Sequence, residues 1–269
     1  MGLRLHAVAP RRGAWWIRRA FAVWWKRPLA FVGLFMFFLF GVLLLMMVPF
    51  IGPILGLALL PMLTLGFMIA TQSALQGGPV HALQIFEGLR TPDMARRKAQ
   101  WMICALYALA SVGVIELSAW IDGGLFEQLQ IALASPNVTP EEVNRLLADP
   151  RLAEGMLARM GLATLLSVPF WHAPALVHWG GQGAWQALFS STLALWRARG
   201  AFALYALGWV VVTFAFGVLA MVLVLVLGSR QVVSVLAMPG GLVISAVFYV
   251  SLWFSFADSF GEDDPAPPA

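Results

Sequence analysis

The run PLAFVGLFMFFLFGVLLLMMV, residues 28–48, holds twenty-one consecutive residues without a charge. As a helix rising 1.5 Å per residue it reaches about 30 Å, one hydrocarbon thickness. Such a run constrains a chain more than any short motif, because in lipid every backbone N–H and C=O must be satisfied inside the segment. Comparable apolar stretches follow at 54–74, 101–120, 156–179, 201–227 and 232–256. The reading is all-α: a single integral membrane domain, built as a polytopic bundle of about six transmembrane helices. With 61% hydrophobic and only 11% charged residues, the chain has too little polar surface for a soluble domain of this size.

The punctuation of the runs supports the division. Pro28 suits a first helical turn, and PFIGP at 49–53 makes a tight connection, where the Gly52/Gly56 spacing reads as a bend. Pro61 predicts a kink in the second span, and Pro169 with Pro174 predicts a bent or broken fourth span. Trp101 and Trp120 stand about 28 Å apart on one helix, at the two interfacial belts. The central part, 101–179, is thus two spans with an extramembrane segment, 121–155, between them. Within that segment EQLQIALAS and PEEVNRLLAD read as short helices, the second capped by Thr139 with Pro140 at its first turn. The acidic, proline-rich tail, 258–269, reads as disordered.

Basic residues crowd the ends of the apolar runs. Thirteen of the seventeen Lys and Arg residues fall before span one, between spans two and three, or between spans four and five. The positive-inside rule then places both termini in the cytoplasm of a bacterial inner membrane and the acidic 121–155 segment outside. This distribution also explains the net charge of +4 without a nucleic-acid partner. Before span one, Arg12, Arg19 and Lys26 recur every seven residues, on a different helical face from Ile17, Phe21 and Trp24. That is the period of an amphipathic interfacial helix whose cations meet anionic lipid headgroups at the cytoplasmic face. A related pattern, GAWQALFSSTLALWRARGAF, begins at Gly183. It suggests a second interfacial helix and a duplicated helix-hairpin unit, 13–75 and 183–257.

Signatures of catalysis are missing. There is no HExxH, no CxxC pair, no Walker loop and no dinucleotide fingerprint, and Cys104 is the sole cysteine. The reading assigns no catalytic residue, cofactor or metal. Ionisable groups inside spans are costly and therefore informative. Glu116 and Arg159 fall at similar depths near the outer face of consecutive antiparallel spans, and read as an intramembrane ion pair. His172, between the prolines of PFWHAP, reads as a polar residue that satisfies the kink.

Three segments, LRLHAVAPRRGAWWIRRAFAVWWKRPLAFVGL at 3–34, PFIGPILGLALLPMLTLGFMIA at 49–70 and FADSF at 256–260, resemble an uncharacterised family of betaproteobacterial multi-pass inner-membrane proteins. The resemblance spans most of the chain. It implies an inner-membrane location and carries over no functional residue. The expected function is non-enzymatic: envelope organisation, or a partner of other proteins in a membrane complex. The alternative is a transporter or permease-like component, favoured by the proline-broken spans.

Overall fold

The computed structural model describes residues 3–135 and 138–261, and every regular element in them is a helix. The first two are α1 (Arg12–Lys26) and α2 (Pro28–Met46). They are followed by α3 (Ile51–Leu75), α4 (Glu87–Arg90), α5 (Met94–Asp122), α6 (Leu125–Ala134) and α7 (Pro140–Leu147). Next come α8 (Pro150–Phe170), α9 (Ala173–His178), α10 (Ala184–Arg197), α11 (Arg199–Leu227) and α12 (Arg230–Phe260). Among the described residues six stretches are long and apolar enough to cross a membrane: α2, α3, α5, α8 with α9, α11, and α12 from Ala237.

Local chemistry sets the boundaries. The side chain of Asp93 accepts from Ala95 and Arg96 to start α5 seven residues earlier than the apolar run. Asp149 does the same for α8, which starts six residues ahead of its apolar run. Thr139 accepts from the Glu142 N–H ahead of Pro140, as the sequence pattern implies. The α2–α3 turn is tight. Phe50 takes a positive φ of 65°, and any Cβ at position 52 would overlap the Leu45 carbonyl. Pro61 and Pro239 lie inside helices that continue through them. The fourth span is the one that breaks, at Trp171–His172 between α8 and α9. The last helix runs to Phe260, so 258–260 are helical and do not belong to a disordered tail. The remainder of that tail, 262–269, lies outside the described residues.

Three helix pairs build the bundle: α2 with α3, α5 with α8, and α11 with α12. The third and twelfth helices are central, packing on each other and joining the pairs. His6 donates its backbone N–H to Ser259 O at 3.0 Å, so both ends of the described chain meet on one face, here the proximal face. The largest core lies towards it. In α2 only Phe31, Leu34 and Phe38 are buried, and in α11 only Ala201, Tyr205 and Trp209. Neither set reaches the distal third of its helix. The distal face has a separate small core under α6 and α7, formed by Leu129, Ala132, Leu146 and Leu152.

Helices α1 and α10 each precede a span but pack differently. The α1 helix lies against α11 and α12, whereas α10 lies against α8 and α9. On α1 the large residues Trp16, Ile17, Val23 and Trp24 are buried. On α10 the buried face is small, Ala184, Ala187, Ser191 and Ala194, while Trp185, Phe189 and Trp196 point outward. The two sequence-similar units therefore make unlike contacts at their leading helices.

Candidate functional site

The proximal face carries the cationic helix. Gly13 brings α1 close to α11, where any Cβ would overlap the Ala201 carbonyl. Ile17, Trp16 and Phe21 then meet Gly208, Tyr205 and Trp209 along α11. The apolar face of α1 is thus covered by protein. Arg12 turns inward with it. Its Nε donates to Asp258 Oδ2 at 2.6 Å, a second guanidinium nitrogen donates to Oδ1 at 2.5 Å, and Trp16 Nε1 donates to Oδ2 at 2.6 Å. The hydrogen bond to Asp258 raises the Arg12 pKa above its ordinary value, burial opposes that, and the Asp258 charge adds to it. The guanidinium also lies 3.8 Å from the Trp15 ring centroid.

Arg12 is therefore corrected as a member of a free basic face, because its charge is taken up by Asp258. Arg19 and Lys26 remain exposed, joined by Arg18 and by Trp25, which is 77% exposed. At the end of the helix Arg27 donates to the carbonyls of Gly77 and Gly78, tying it to the proximal end of α3.

The pairing of Glu116 with Arg159 is also corrected. An Arg159 guanidinium nitrogen lies 3.9 Å from Asp122 Oδ2, an ion-pair contact too long for a hydrogen bond. Its guanidinium carbon stands 3.9 Å from the Phe126 ring centroid. Glu116 is exposed. Six residues separate it from Asp122, which places it about 120° round the helix. Gln100, Ser111, Ser118 and Asp122 are the buried polar residues along α5. The Asp122 side chain is fully buried, and its Oδ1 accepts from Gly124 N at 2.8 Å in the turn that closes α5. Depth alone favours Glu116. Helical phase would have favoured Asp122.

His172 sits in the break of the fourth span, and the backbone groups freed there have identifiable partners. Pro169 and Pro174 have no N–H, so carbonyls near them lose their intrahelical donors. Ser191 of α10 accepts from His172 N and donates to Val168 O, both at 3.0 Å. Gln100 Nε2 of α5 donates to Pro174 O at 2.7 Å, and Arg96 reaches His178 O at 3.0 Å. The imidazole is fully buried among Phe202, Phe256 and Phe260. Its Nε2 lies 3.1 Å from Ser255 Oγ, which donates its own proton to Leu252 O at 2.8 Å. Nε2 must then carry the imidazole proton, and Nδ1 is left without a partner among the described residues. Trp171 Nε1 donates to the same Ser255 Oγ at 3.3 Å.

Beside Trp171 a cavity of about 160 Å³ opens between α3, α5, α8 and α12. It is lined by uncharged side chains, and one wall carries Pro61. Among the described residues no group of three or more His, Cys, Asp or Glu side chains is placed to hold a metal ion.

The chain matches no protein-family profile. No solved structure matches it. It is similar to a "probable inner membrane protein" of Burkholderia thailandensis, at 30% identity over 268 residues, covering 99% of this chain and 97% of the relative. With a relative matched end to end and six helices able to cross a membrane, the chain belongs to the same family of bacterial multi-pass inner-membrane proteins.

Proposed function

We propose that the protein is a non-enzymatic organiser of the inner membrane, with anionic headgroups of the cytoplasmic leaflet as its partner. One observation carries this reading. The Asp258 hydrogen bonds and the Arg27 contacts fix α1 to the bundle, so Arg18, Arg19, Lys26 and Trp25 form an outward-facing surface that needs no ordering on contact. The excess of basic residues on the same side of the spans supports a cytoplasmic placement of that surface and of both termini. Each cation near an anionic membrane surface contributes about 1 kcal/mol, so three favour anionic over neutral headgroups on the order of a hundredfold.

The test uses the full chain in nanodiscs of mixed phosphatidylcholine and phosphatidylglycerol, with the retained lipids counted by native mass spectrometry. The wild type should enrich phosphatidylglycerol, and the triple variant Arg18→Gln, Arg19→Gln, Lys26→Gln should lose that enrichment while remaining folded. Equal enrichment in both proteins would rule the reading out. A permease-like component is the second reading, favoured by the cavity beside the proline-broken span. Solute flux through liposomes containing the pure protein would support it over the first. The outward aromatic residues of α10 also offer a surface for a protein partner in the membrane, which crosslinking in native membranes would reveal.

A further inference from the structure

The cavity beside Trp171 lies deep in the hydrocarbon zone. Pro61 is ten residues from the distal end of α3, and Tyr249 is eleven residues from the proximal end of α12, so each stands roughly 15 Å from a helix end. Half of its lining is aromatic: Tyr107, Phe170, Trp171, Phe248 and Tyr249. None of its lining residues carries a charge. Its volume of about 160 Å³ is close to the ~150 Å³ of an apolar cavity known to hold a benzene-sized ring. Most of the hydroxyl protons in it are already committed. Thr64 donates to Leu60 O and Ser167 to Thr164 O, and Tyr107 has Ser111 one turn away. The Tyr249 hydroxyl has no hydrogen-bond partner among the described residues, although its ring is held against Phe35 and Phe67.

We propose that this cavity binds the head ring of an uncharged quinone-type lipid dissolved in the bilayer, with the Tyr249 hydroxyl donating to a ring carbonyl. The chemistry selects that class. Depth restricts entry to molecules that travel in hydrocarbon, and the absence of lining charge excludes ions and zwitterions, whose burial would go uncompensated. Edge-to-face and offset contacts with five rings favour a planar guest. A saturated acyl chain would leave the tyrosine donor unmatched. The floor is rigid because the broken span beneath it is fixed through Ser255 and Ser191. This site is separate from the cationic surface of α1, and its test reads a different signal.

The test takes the full-length protein in quinone-free nanodiscs, photolabelled with an azido-substituted short-tail ubiquinone and mapped by peptide mass spectrometry. Labelling should saturate, fall on residues 60–64, 167–171 or 248–252, and be competed by decylubiquinone but not by decanol. Tyr249→Phe keeps the ring packing and should weaken binding about tenfold, as loss of one hydrogen bond implies. Ser167→Phe fills the cavity and should abolish labelling while thermal unfolding stays cooperative. Labelling that never saturates, or that both variants leave unchanged, would overturn the proposal. Equal competition by decanol would also overturn it, and would show a groove for hydrocarbon chains.

Discussion

The proximal clamp makes the sharpest quantitative prediction. Asp258 receives three hydrogen bonds, two from Arg12 and one from Trp16. The Trp16 ring is fully buried, whereas the Arg12 side chain is 36% and the Asp258 side chain 17% exposed. Asp258→Ala leaves the Trp16 N–H buried without an acceptor, which costs about 1–3 kcal/mol. Arg12 can turn to water, so the lost ion pair counts only at the surface rate, about 0–1 kcal/mol. Together the change should cost about 1–4 kcal/mol. Asp258→Asn keeps an oxygen acceptor and should cost about 1 kcal/mol or less. Adding Arg12→Gln to Asp258→Ala should add little, because the partner is already gone. The readouts are denaturant unfolding in detergent, amide exchange across residues 12–26, and trypsin cleavage at Arg18–Arg19, which should rise as α1 loosens. If Asp258→Ala proves no worse than Asp258→Asn, or if α1 keeps its protection in both, the clamp does not fix the helix and the reasoning fails.

At the distal face a double-mutant cycle on Asp122→Asn and Arg159→Met should show coupling of about 0.5–3 kcal/mol, while Glu116→Gln should leave detergent stability within about 0.5 kcal/mol; coupling of Arg159 to Glu116 instead would reverse the assignment. Ser255→Ala removes the oxygen shared by His172 and Trp171 and should cost about 1–3 kcal/mol, more than Ser167→Ala, whose hydroxyl only returns to its own helix. Equal losses in thermal unfolding would show that the bond network at the break is not stabilising. For orientation, a membrane-impermeant thiol reagent should label Gln128→Cys from outside intact cells and Arg90→Cys only after lysis, and the reverse pattern would place the termini outside.

The division into six spans was legible because burial in lipid demands long unbroken runs, and those runs survive any detail of packing. The helix starts at Asp93 and Asp149 lie outside the apolar runs, so hydropathy alone does not mark where these two helices begin. Short-range chemistry read well where one residue decides it, as with Thr139 and Pro140. Pairings read poorly. Depth points to Glu116, but depth is one coordinate, whereas an ion pair also needs the helical phase that Asp122 has. Asp258 lies in FADSF at the start of the acidic tail, and nothing local marks an acid as the partner of an arginine 246 positions earlier. One signal was present: a lone acid just after the last apolar run, facing a leader segment rich in arginine. The cavity was illegible for a different reason. It arises where four helices fail to close around two proline sites, and no single stretch of sequence encodes that failure.

The unlike packing of α1 and α10 shows how similar sequences came to different uses. Both begin Gly-Ala-Trp and both end in basic residues. Gly13 permits backbone contact with α11, and that approach lets Trp16 bury completely and reach Asp258. Gly183 has open space around it, and the helix that follows presents alanines and Ser191 inward instead. Small residues suit a helix that must approach a broken span closely enough for one hydroxyl to satisfy two of its backbone groups. Large residues suit a helix that must seal the proximal ends of α11 and α12. The first helix therefore closes the fold where the termini meet, and the second supports the break on which the cavity rests. Beyond Phe38 in α2 and beyond Trp209 in α11 no residue is buried.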